Sequence, residues 1–137
     1  MSKTNEILKS YGLRVTPVRK EILNVLQSRT EAVPQPQLEK LLSDFDRVTL
    51  YRTLAAFEES GLVHKVLNDQ GVGNYALCGD ACGPDHHHHA HVHLECDTCG
   101  KVYCLDQVEV PEIKIPARHK AHGMKILVHG LCDQCAE

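Results

Sequence analysis

Four cysteines occur in two pairs of equal spacing, Cys96-x-x-Cys99 and Cys132-x-x-Cys135. Two intervening residues let both thiolates of a pair point to one side of a tight turn, and two such turns complete a tetrahedral four-thiolate zinc site. Two disulfides or a thioredoxin-type redox pair are the alternatives, but a redox pair needs a βαβ context that this sequence lacks. The spacing therefore predicts one structural zinc ion per chain, with no open coordination position for catalysis.

A second group of potential metal ligands lies outside these pairs. His91 and His93 alternate along a predicted strand, so both imidazoles face the same way, which suits a divalent metal. His64 and Cys78 fall on the two strands of a predicted hairpin and would complete a site of three imidazoles and one thiolate. Alternatively, Cys78 fills an apolar position and His64 is an exposed strand residue. Further candidate ligands are Cys104, Asp106 and, in the His86–His89 run, His89.

The ligand-type residues divide the chain in two. All seven Cys and all ten His of the 137 residues lie at or after His64. Residues 1–63 carry nine Lys or Arg against eight Asp or Glu, whereas residues 64–137 carry six against ten. The net charge of −3 is therefore the sum of +1 for the first half and −4 for the second half. Bound divalent cations would offset part of that acidity, so net charge alone does not identify the partner.

The sequence contains neither an apolar run long enough for a transmembrane helix nor an apolar N-terminal signal segment. We therefore expect a cytoplasmic protein without a membrane partner. In a reducing compartment, paired cysteines hold metal more often than they form disulfides. Seven is also an odd number of cysteines, so a complete intramolecular disulfide framework would leave one thiol over.

Apolar periodicity and stop signals predict four helices followed by a β-hairpin. Thr16 and Pro17 are a strong start signal, because threonine caps a helix and proline fits its first position. This order is typical of a winged helix-turn-helix domain, and a small helical domain with an incidental hairpin is the alternative. The predicted elements are helices over Lys3–Tyr11, from Pro17 to about Arg29, around Leu38–Leu42 after a loop with Pro34 and Pro36, and from about Arg47 to Gly61, then strands over Leu62–Leu67 and Gly73–Cys78.

The fourth predicted helix carries the polar side chains that a recognition helix needs. Arginine pairs with guanine in the major groove, the threonine methyl contacts thymine, and tyrosine reaches phosphates. An ordinary solvated helix face is the alternative. The candidate DNA-binding residues are Thr49, Tyr51 and Arg52 on this helix, together with Arg14 and Arg19 at the start of the second.

The second half of the chain follows a stretch rich in Gly, Pro and His. We predict a winged-helix DNA-binding domain over residues 1–80, a His-rich linker over residues 81–90 and a metal-binding domain over residues 91–137. Pro111 and Pro116 argue against a long helix over Glu109–His122. Short strands are predicted over His91–Glu95, Lys101–Leu105 and Met124–His129.

Taken together, these motifs resemble the ferric uptake regulator (Fur) family over essentially the whole length. The matching residues are Gly12-Leu13-Arg14-Val15-Thr16-Pro17-Val18-Arg19, Val48-Thr49-Leu50-Tyr51-Arg52-Thr53-Leu54, Glu59-Ser60-Gly61-Leu62-Val63, the histidine run into His91-Val92-His93-Leu94-Glu95-Cys96, and the two cysteine pairs. The resemblance implies an α+β protein: an N-terminal winged helix-turn-helix domain followed by a small α/β dimerisation domain with the four-cysteine zinc site. It also implies a homodimeric, metal-activated repressor that binds double-stranded operator DNA.

Departures from the family pattern concern the sensed metal. Iron and peroxide sensors of the family use a His just before the third helix, where this chain has Ala32-Val33, and a carboxylate near Tyr75-Ala76. His64 and Cys78 instead resemble the zinc uptake regulator branch, and a thiolate with imidazoles suits zinc. Cys104 stands where many relatives have a carboxylate. The family's long helix in the dimerisation domain is expected to be missing, with dimerisation retained through strand pairing.

The leading hypothesis is therefore a zinc-responsive repressor with a structural and a regulatory Zn²⁺. A regulator that senses Fe²⁺, Mn²⁺ or peroxide is the alternative within the family. A zinc storage module, suggested by His86–His89, and a zinc hydrolase, suggested by His91, His93 and Glu95, are alternatives of other classes. We expect neither enzymatic activity nor a small-molecule substrate.

Overall fold

The structure is a computed structural model that describes residues 3–77, 92–105 and 108–136. Within these ranges the chain forms four helices and six strands. In chain order they are α1 (Lys3–Ser10), α2 (Pro17–Gln27), β1 (Glu31–Pro34), α3 (Gln35–Leu41), α4 (Arg47–Ser60), β2 (Val63–Leu67), β3 (Gly73–Leu77), β4 (Val92–Cys96), β5 (Val102–Leu105) and β6 (Ile126–Gly130).

Capping side chains set the ends of the two long helices. The Thr16 hydroxyl accepts a hydrogen bond at 3.3 Å from the backbone N–H three residues later, and α2 begins at the next residue, a proline. Asp46 caps α4 in the same way, with a hydrogen bond of 3.2 Å from the N–H of Thr49. Gly61 ends α4 at φ +86°, a left-handed conformation that glycine adopts without steric cost. These local signals explain why the helices lie where the sequence predicts them.

The four helices and the β2–β3 hairpin share one apolar core. Phe57 on α4 lies at its centre and is fully buried together with Ile22 and Leu23 of α2. The order α2, α3, α4 and then the hairpin is that of a winged helix-turn-helix, which confirms the predicted domain type and, with the strands that follow, the α+β class. The buried core residues are Leu8, Val18, Ile22, Leu23, Leu26, Val33, Leu38, Leu42, Leu50, Leu54, Phe57, Leu62, Val63 and Tyr75.

Strand β1 corrects the prediction of a loop containing Pro34 and Pro36. Residues Glu31–Pro34 form a short strand, and α3 begins directly after it, with Pro36 in its first turn. The strand lies between two neighbours: Val33 pairs with Tyr75 of β3, and Glu31 pairs with Tyr103 of β5. Proline is tolerated at the end of a strand because only one ladder donor is lost. Through β1, the hairpin and the C-terminal strands become one sheet.

The six strands of the described residues follow the order β2-β3-β1-β5-β4-β6, and the sheet curls so that its two ends approach each other. Val66 of β2 and Leu127 of β6, which lie on opposite edge strands, pack around the same small core with Ala32, Ala76 and Val102. All neighbouring strands are antiparallel except β4 and β6, which are parallel. The curl brings the wing hairpin against the C-terminal strands, which a flat sheet would keep apart.

Residues 108–123 form neither helix nor strand, and every one of them is exposed. The expectation that no long helix occupies Glu109–His122 is therefore confirmed. The predicted linker over residues 81–90 lies outside the described residues, so the division into residues 1–80, 81–90 and 91–137 stays a prediction. The predicted strands His91–Glu95, Lys101–Leu105 and Met124–His129 correspond to β4, β5 and β6 with small shifts of their ends.

Candidate metal centres and nucleic-acid surface

The parallel pairing of β4 with β6 brings the two cysteine turns together. Cys96 is the last residue of β4 and pairs with Gly130, the last residue of β6, so the turns that follow both strands begin side by side. The ligand atoms of all four cysteines lie within 4.8 Å of one another. The Sγ atoms of Cys99 and Cys132 are 3.9 Å apart, close to the edge of about 3.8 Å of a tetrahedron with zinc–sulfur bonds of about 2.3 Å. This sulfur–sulfur distance is far too long for a disulfide.

Backbone donors favour thiolates at this cluster. The backbone N–H of Cys99 donates a hydrogen bond to Cys96 Sγ at 3.5 Å. This hydrogen bond is the largest contribution to lowering the pKa of the Cys96 thiol to about 6. Burial works to raise the pKa of Cys132, but the N–H of Cys135 and the Tyr103 hydroxyl donate to its sulfur and bring the pKa below the ordinary value. Hydrogen bonding to Cys132 raises the pKa of Cys135 to about 12. The Cys135 thiol thus holds its proton more strongly than an ordinary cysteine, and a zinc ion has to displace that proton to bind the sulfur.

A second cluster joins the wing to the C-terminal strands. His64 of β2, His93 of β4 and Cys104 of β5 place their ligand atoms within 4.8 Å of one another. His93 and Cys104 are direct partners in the β4–β5 ladder, and the imidazole of His64 meets that of His93 edge to face, with ring centroids 4.9 Å apart. His93 is buried, whereas His64 and Cys104 are half-buried. Two imidazoles and one thiol are a suitable partial ligand set for a divalent transition metal.

This cluster contains two of the four predicted regulatory ligands, His64 and His93, together with Cys104 from the additional candidates. The remaining candidates lie outside the described residues: Cys78, His91, Asp106 and His89. In the sequence, Cys78 directly follows Leu77, whose Cα partner in the hairpin is Val63, the neighbour of His64. The direct pairing of Cys104 with His93 depends on the β4–β5 register, which spacing along the chain does not reveal.

The tip of the wing also contacts the C-terminal strands. The backbone N–H of Asp69, in the β2–β3 turn, donates to the Glu95 carboxylate at 3.0 Å. His129 of β6 lies between the two acidic side chains, with Nδ1 3.9 Å from Glu95 and Nε2 4.0 Å from Asp69. Sequence reasoning did not identify this contact, because it joins residues 26 positions apart in the chain. The wing is thus held to the C-terminal strands at two places.

The predicted DNA-binding residues surround the beginnings of α2 and α4. Arg52 is exposed, and Arg19 donates from Nη1 to the backbone oxygen of Arg14 at 2.8 Å. The Thr49 hydroxyl donates to Asp46, the cap of α4. The chain therefore presents two arginines around the start of α2 and two on α4, Arg47 and Arg52, while the Thr49 hydroxyl is already hydrogen-bonded to the cap of its own helix.

Glu39 of α3 is a part of this surface that sequence reasoning missed. Its carboxylate accepts a hydrogen bond from the Tyr51 hydroxyl and lies 3.8 Å from Nε of Arg47. The Tyr51 hydroxyl is the main cause that lowers the pKa of Glu39, and the same bond raises the pKa of Tyr51. A negative charge thus sits among the groups that would meet DNA phosphates. No motif marks it, because the contact depends on how α3 packs beside α4.

Comparison with known proteins shows the family of this chain. A model of the ferric uptake regulator family matches residues 10–133. A ferric uptake regulation protein of Haemophilus ducreyi is 35% identical over 141 residues, which span 96% of this chain and 87% of the relative. This chain belongs to the ferric uptake regulator family. It is therefore a metal-responsive transcriptional regulator, and the alternative of a zinc hydrolase is wrong, because proteins of this family are regulators and not enzymes.

Solved structures of this family share the fold. The ferric uptake regulator of Vibrio cholerae is similar with a TM-score of 0.61 and 26% identity, over 93% of this chain and 98% of that chain. A zinc uptake regulator complexed with zinc and DNA is similar with a TM-score of 0.62 and 25% identity, over 99% of this chain and 97% of that chain. Among the described residues of this regulator, no helix is long and apolar enough to span a membrane.

Proposed function

We propose that this regulator is a zinc-responsive repressor that binds double-stranded operator DNA as a homodimer. One zinc ion would be structural, held by Cys96, Cys99, Cys132 and Cys135. A second, regulatory zinc ion would bind at His64, His93 and Cys104. The observation that carries the proposal is the convergence of these three ligand atoms, one from the wing and two from the C-terminal strands, within 4.8 Å of one another.

The donor chemistry favours zinc at the regulatory cluster. Zinc prefers imidazole and thiolate ligands in a tetrahedral arrangement, whereas manganese prefers carboxylate and carbonyl oxygens. Two imidazoles and one thiolate leave one position of a tetrahedron to fill. Cys78 and His91 are the proposed sources of that fourth ligand, because each is adjacent in sequence to a strand, β3 or β4, that borders the cluster.

The position of the cluster suggests how metal would control DNA binding. His64 lies on β2, directly after α4 in the chain, and Phe57 of α4 packs with Val63 of β2 in the same core. Coordination by His64 together with His93 and Cys104 would tie the wing, and with it α4, to the C-terminal strands. In a homodimer this would fix the separation of the two recognition helices, which has to match the spacing of two operator half-sites. Metal and DNA would then strengthen each other's binding by the same factor.

An iron- or manganese-responsive regulator is the second candidate. The Haemophilus ducreyi relative is named for ferric uptake and is 35% identical, so the family resemblance alone does not select zinc. The thiol of Cys104 argues for zinc, since iron and manganese sites of this kind would favour an oxygen ligand at that position. The Cys104 thiol argues in the same way against a peroxide-responsive regulator that uses iron or manganese.

An operator-binding titration tests the proposal. A duplex selected from a random library with the zinc-loaded protein would be titrated at buffered free zinc, iron and manganese, with bound metal measured in parallel. We expect zinc to restore binding at the lowest free concentration. His64→Ala and Cys104→Ser should abolish zinc-dependent binding and reduce bound zinc from two ions per chain to one, whereas His119→Ala, an exposed histidine away from both clusters, should change neither. Unchanged zinc-dependent binding in both variants would contradict the proposal.

A further inference from the structure

The 108–116 segment is a surface segment with several large apolar side chains exposed to solvent. Its sequence is Val-Glu-Val-Pro-Glu-Ile-Lys-Ile-Pro, and all nine residues are exposed. Ile113 is 56% exposed and Ile115 is 46% exposed, so two β-branched side chains one strand period apart lie in solvent. Contiguous apolar groups of this kind on a soluble protein mark an interaction surface.

The backbone of the segment has unused hydrogen-bonding capacity. In the part of the chain that the structure describes, no backbone hydrogen bond joins residues 109–115 to another backbone group; the nearest ones are donated by the N–H of Val108, to Leu105, and by the N–H of His119, to Pro116. β-branched residues favour strands, and an extended chain with unpaired N–H and C=O groups adds readily to another strand. The segment has the composition of a strand but lacks a partner.

We propose that the 108–116 segment pairs antiparallel with the same segment of a second copy of this chain, around a two-fold axis at Ile113. In that register Glu112 of one protomer lies opposite Lys114 of its partner, and the symmetry makes this ion pair twice. Neither Glu112 nor Lys114 takes part in an ion pair among the described residues of one chain. The sequence around Ile113 is therefore complementary to itself in charge.

The same register accommodates Pro111, whereas Pro116 falls opposite Val110 in a hydrogen-bonded pair, lacks the N–H for it and so marks the end of the ladder. When Ile113 forms a non-hydrogen-bonded pair with its own copy, Glu112 and Lys114 form the hydrogen-bonded pairs on either side. Pro111 then falls in a non-hydrogen-bonded pair opposite Ile115, where its missing N–H costs no ladder bond. Pro111, Ile113 and Ile115 of both copies line one face of the ribbon, so the exposed isoleucines become a continuous apolar stripe. Moving the two-fold axis by one residue, to Glu112 or to Lys114, would place like charges opposite each other at the centre of the ribbon, Glu112 to Glu112 or Lys114 to Lys114.

The partner of this segment is a second copy of the chain, because the same segment carries both the negative charge, Glu112, and the positive charge, Lys114, of the cross-strand ion pair. This inference rests on the homodimer of the proposed function and names the surface that forms it. It assigns the expected dimerisation through strand pairing to a segment that lies outside β4, β5 and β6.

Charge-reversal variants test this register. Glu112→Lys and Lys114→Glu would each be studied by analytical ultracentrifugation with the zinc-loaded full chain. Each variant alone turns two attractive cross-strand pairs into repulsive ones, so we expect its dimer dissociation constant to rise about tenfold. An equimolar mixture of the two variants restores opposite charges at both pairs and should form heterodimers with near wild-type affinity. Glu109→Lys makes the same charge change in the segment but lies opposite Ala117 in this register, so it should leave dimerisation unchanged.

The outcomes separate this inference from the proposed function. If the wild type is dimeric, each variant is weakened and the mixture recovers, the register is supported. If both variants dimerise as tightly as the wild type, another surface of the chain or another partner accounts for the exposed residues, and the inference is overturned while the zinc-dependent repressor still stands. If the wild type stays monomeric with zinc and operator present, both this surface and the homodimer of the proposed function are wrong.

Discussion

Replacing Glu39 by Gln should strengthen DNA binding and make it more sensitive to salt. The Glu39 carboxylate accepts a hydrogen bond from the Tyr51 hydroxyl and lies 3.8 Å from Nε of Arg47. In the free protein, both side chains therefore interact with Glu39 and not with a DNA phosphate. Glutamine has nearly the same shape and keeps a hydrogen-bond acceptor for Tyr51, but it removes the negative charge. Arg47 is then available to a DNA phosphate, and the repulsion between Glu39 and the phosphate backbone is lost.

The magnitude follows from counterion release. Each phosphate that a protein neutralises steepens the dependence of log K on log salt by about 0.9. One additional phosphate per chain, or two per dimer, therefore steepens the slope by about 1.8. Between 50 and 200 mM salt, a fourfold change, the variant should lose about twelvefold more affinity than the wild type loses over the same range.

Fluorescence anisotropy with one operator duplex, at saturating zinc and four salt concentrations, measures both slopes. Glu59→Gln is the matched control, because it removes the same charge from an exposed position in the last turn of α4. We expect the control slope to equal that of the wild type. An unchanged slope for Glu39→Gln would refute the reasoning, since it would mean that Arg47 does not meet a phosphate when DNA binds.

Three further predictions concern folding and metal loading. Thr16→Ala removes the cap of α2 and should lower the free energy of unfolding by about 1 kcal/mol in urea denaturation, and an unchanged midpoint would show that the cap contributes nothing. Phe57→Ala empties the centre of the N-terminal core and should cost about 3–5 kcal/mol in the same assay; a loss below 1 kcal/mol would contradict the assigned core. Because Cys135, with its pKa raised to about 12, must lose a proton to bind metal, zinc affinity of the four-cysteine site should rise by about tenfold per pH unit for each thiol proton released. Competition with a zinc chelator between pH 6 and 8 measures this rise, and an affinity independent of pH would speak against thiolate ligation.

The helices and the wing were predictable because their signals are local. Thr16 and Gly61 mark helix ends through hydrogen bonds and backbone conformations within a few residues, and the hairpin follows from alternation around a turn. The two cysteine pairs were predictable for the same reason, since the two-residue spacing alone fixes the turn.

The remaining features depend on contacts between distant segments. β1 has four residues, one of them a proline, and exists as a strand because β3 and β5 lie on either side of it. The pairing of Cys104 with His93 needs the β4–β5 register, and the approach of His64 needs the curl of the whole sheet. Glu39 acquires its role only when α3 lies beside α4. Periodicity and spacing carry no information about such contacts.

Thermodynamic linkage between zinc and operator shows whether one metal site couples the wing to DNA binding. Zinc affinity of the regulatory site would be measured with and without operator, and operator affinity with and without zinc, on wild type and His64→Ala with the four-cysteine site loaded. We expect the gain in zinc affinity with operator to equal the gain in operator affinity with zinc, both well above one for the wild type and both equal to one for His64→Ala. A wild-type ratio of one, with zinc bound at the regulatory site, would contradict it.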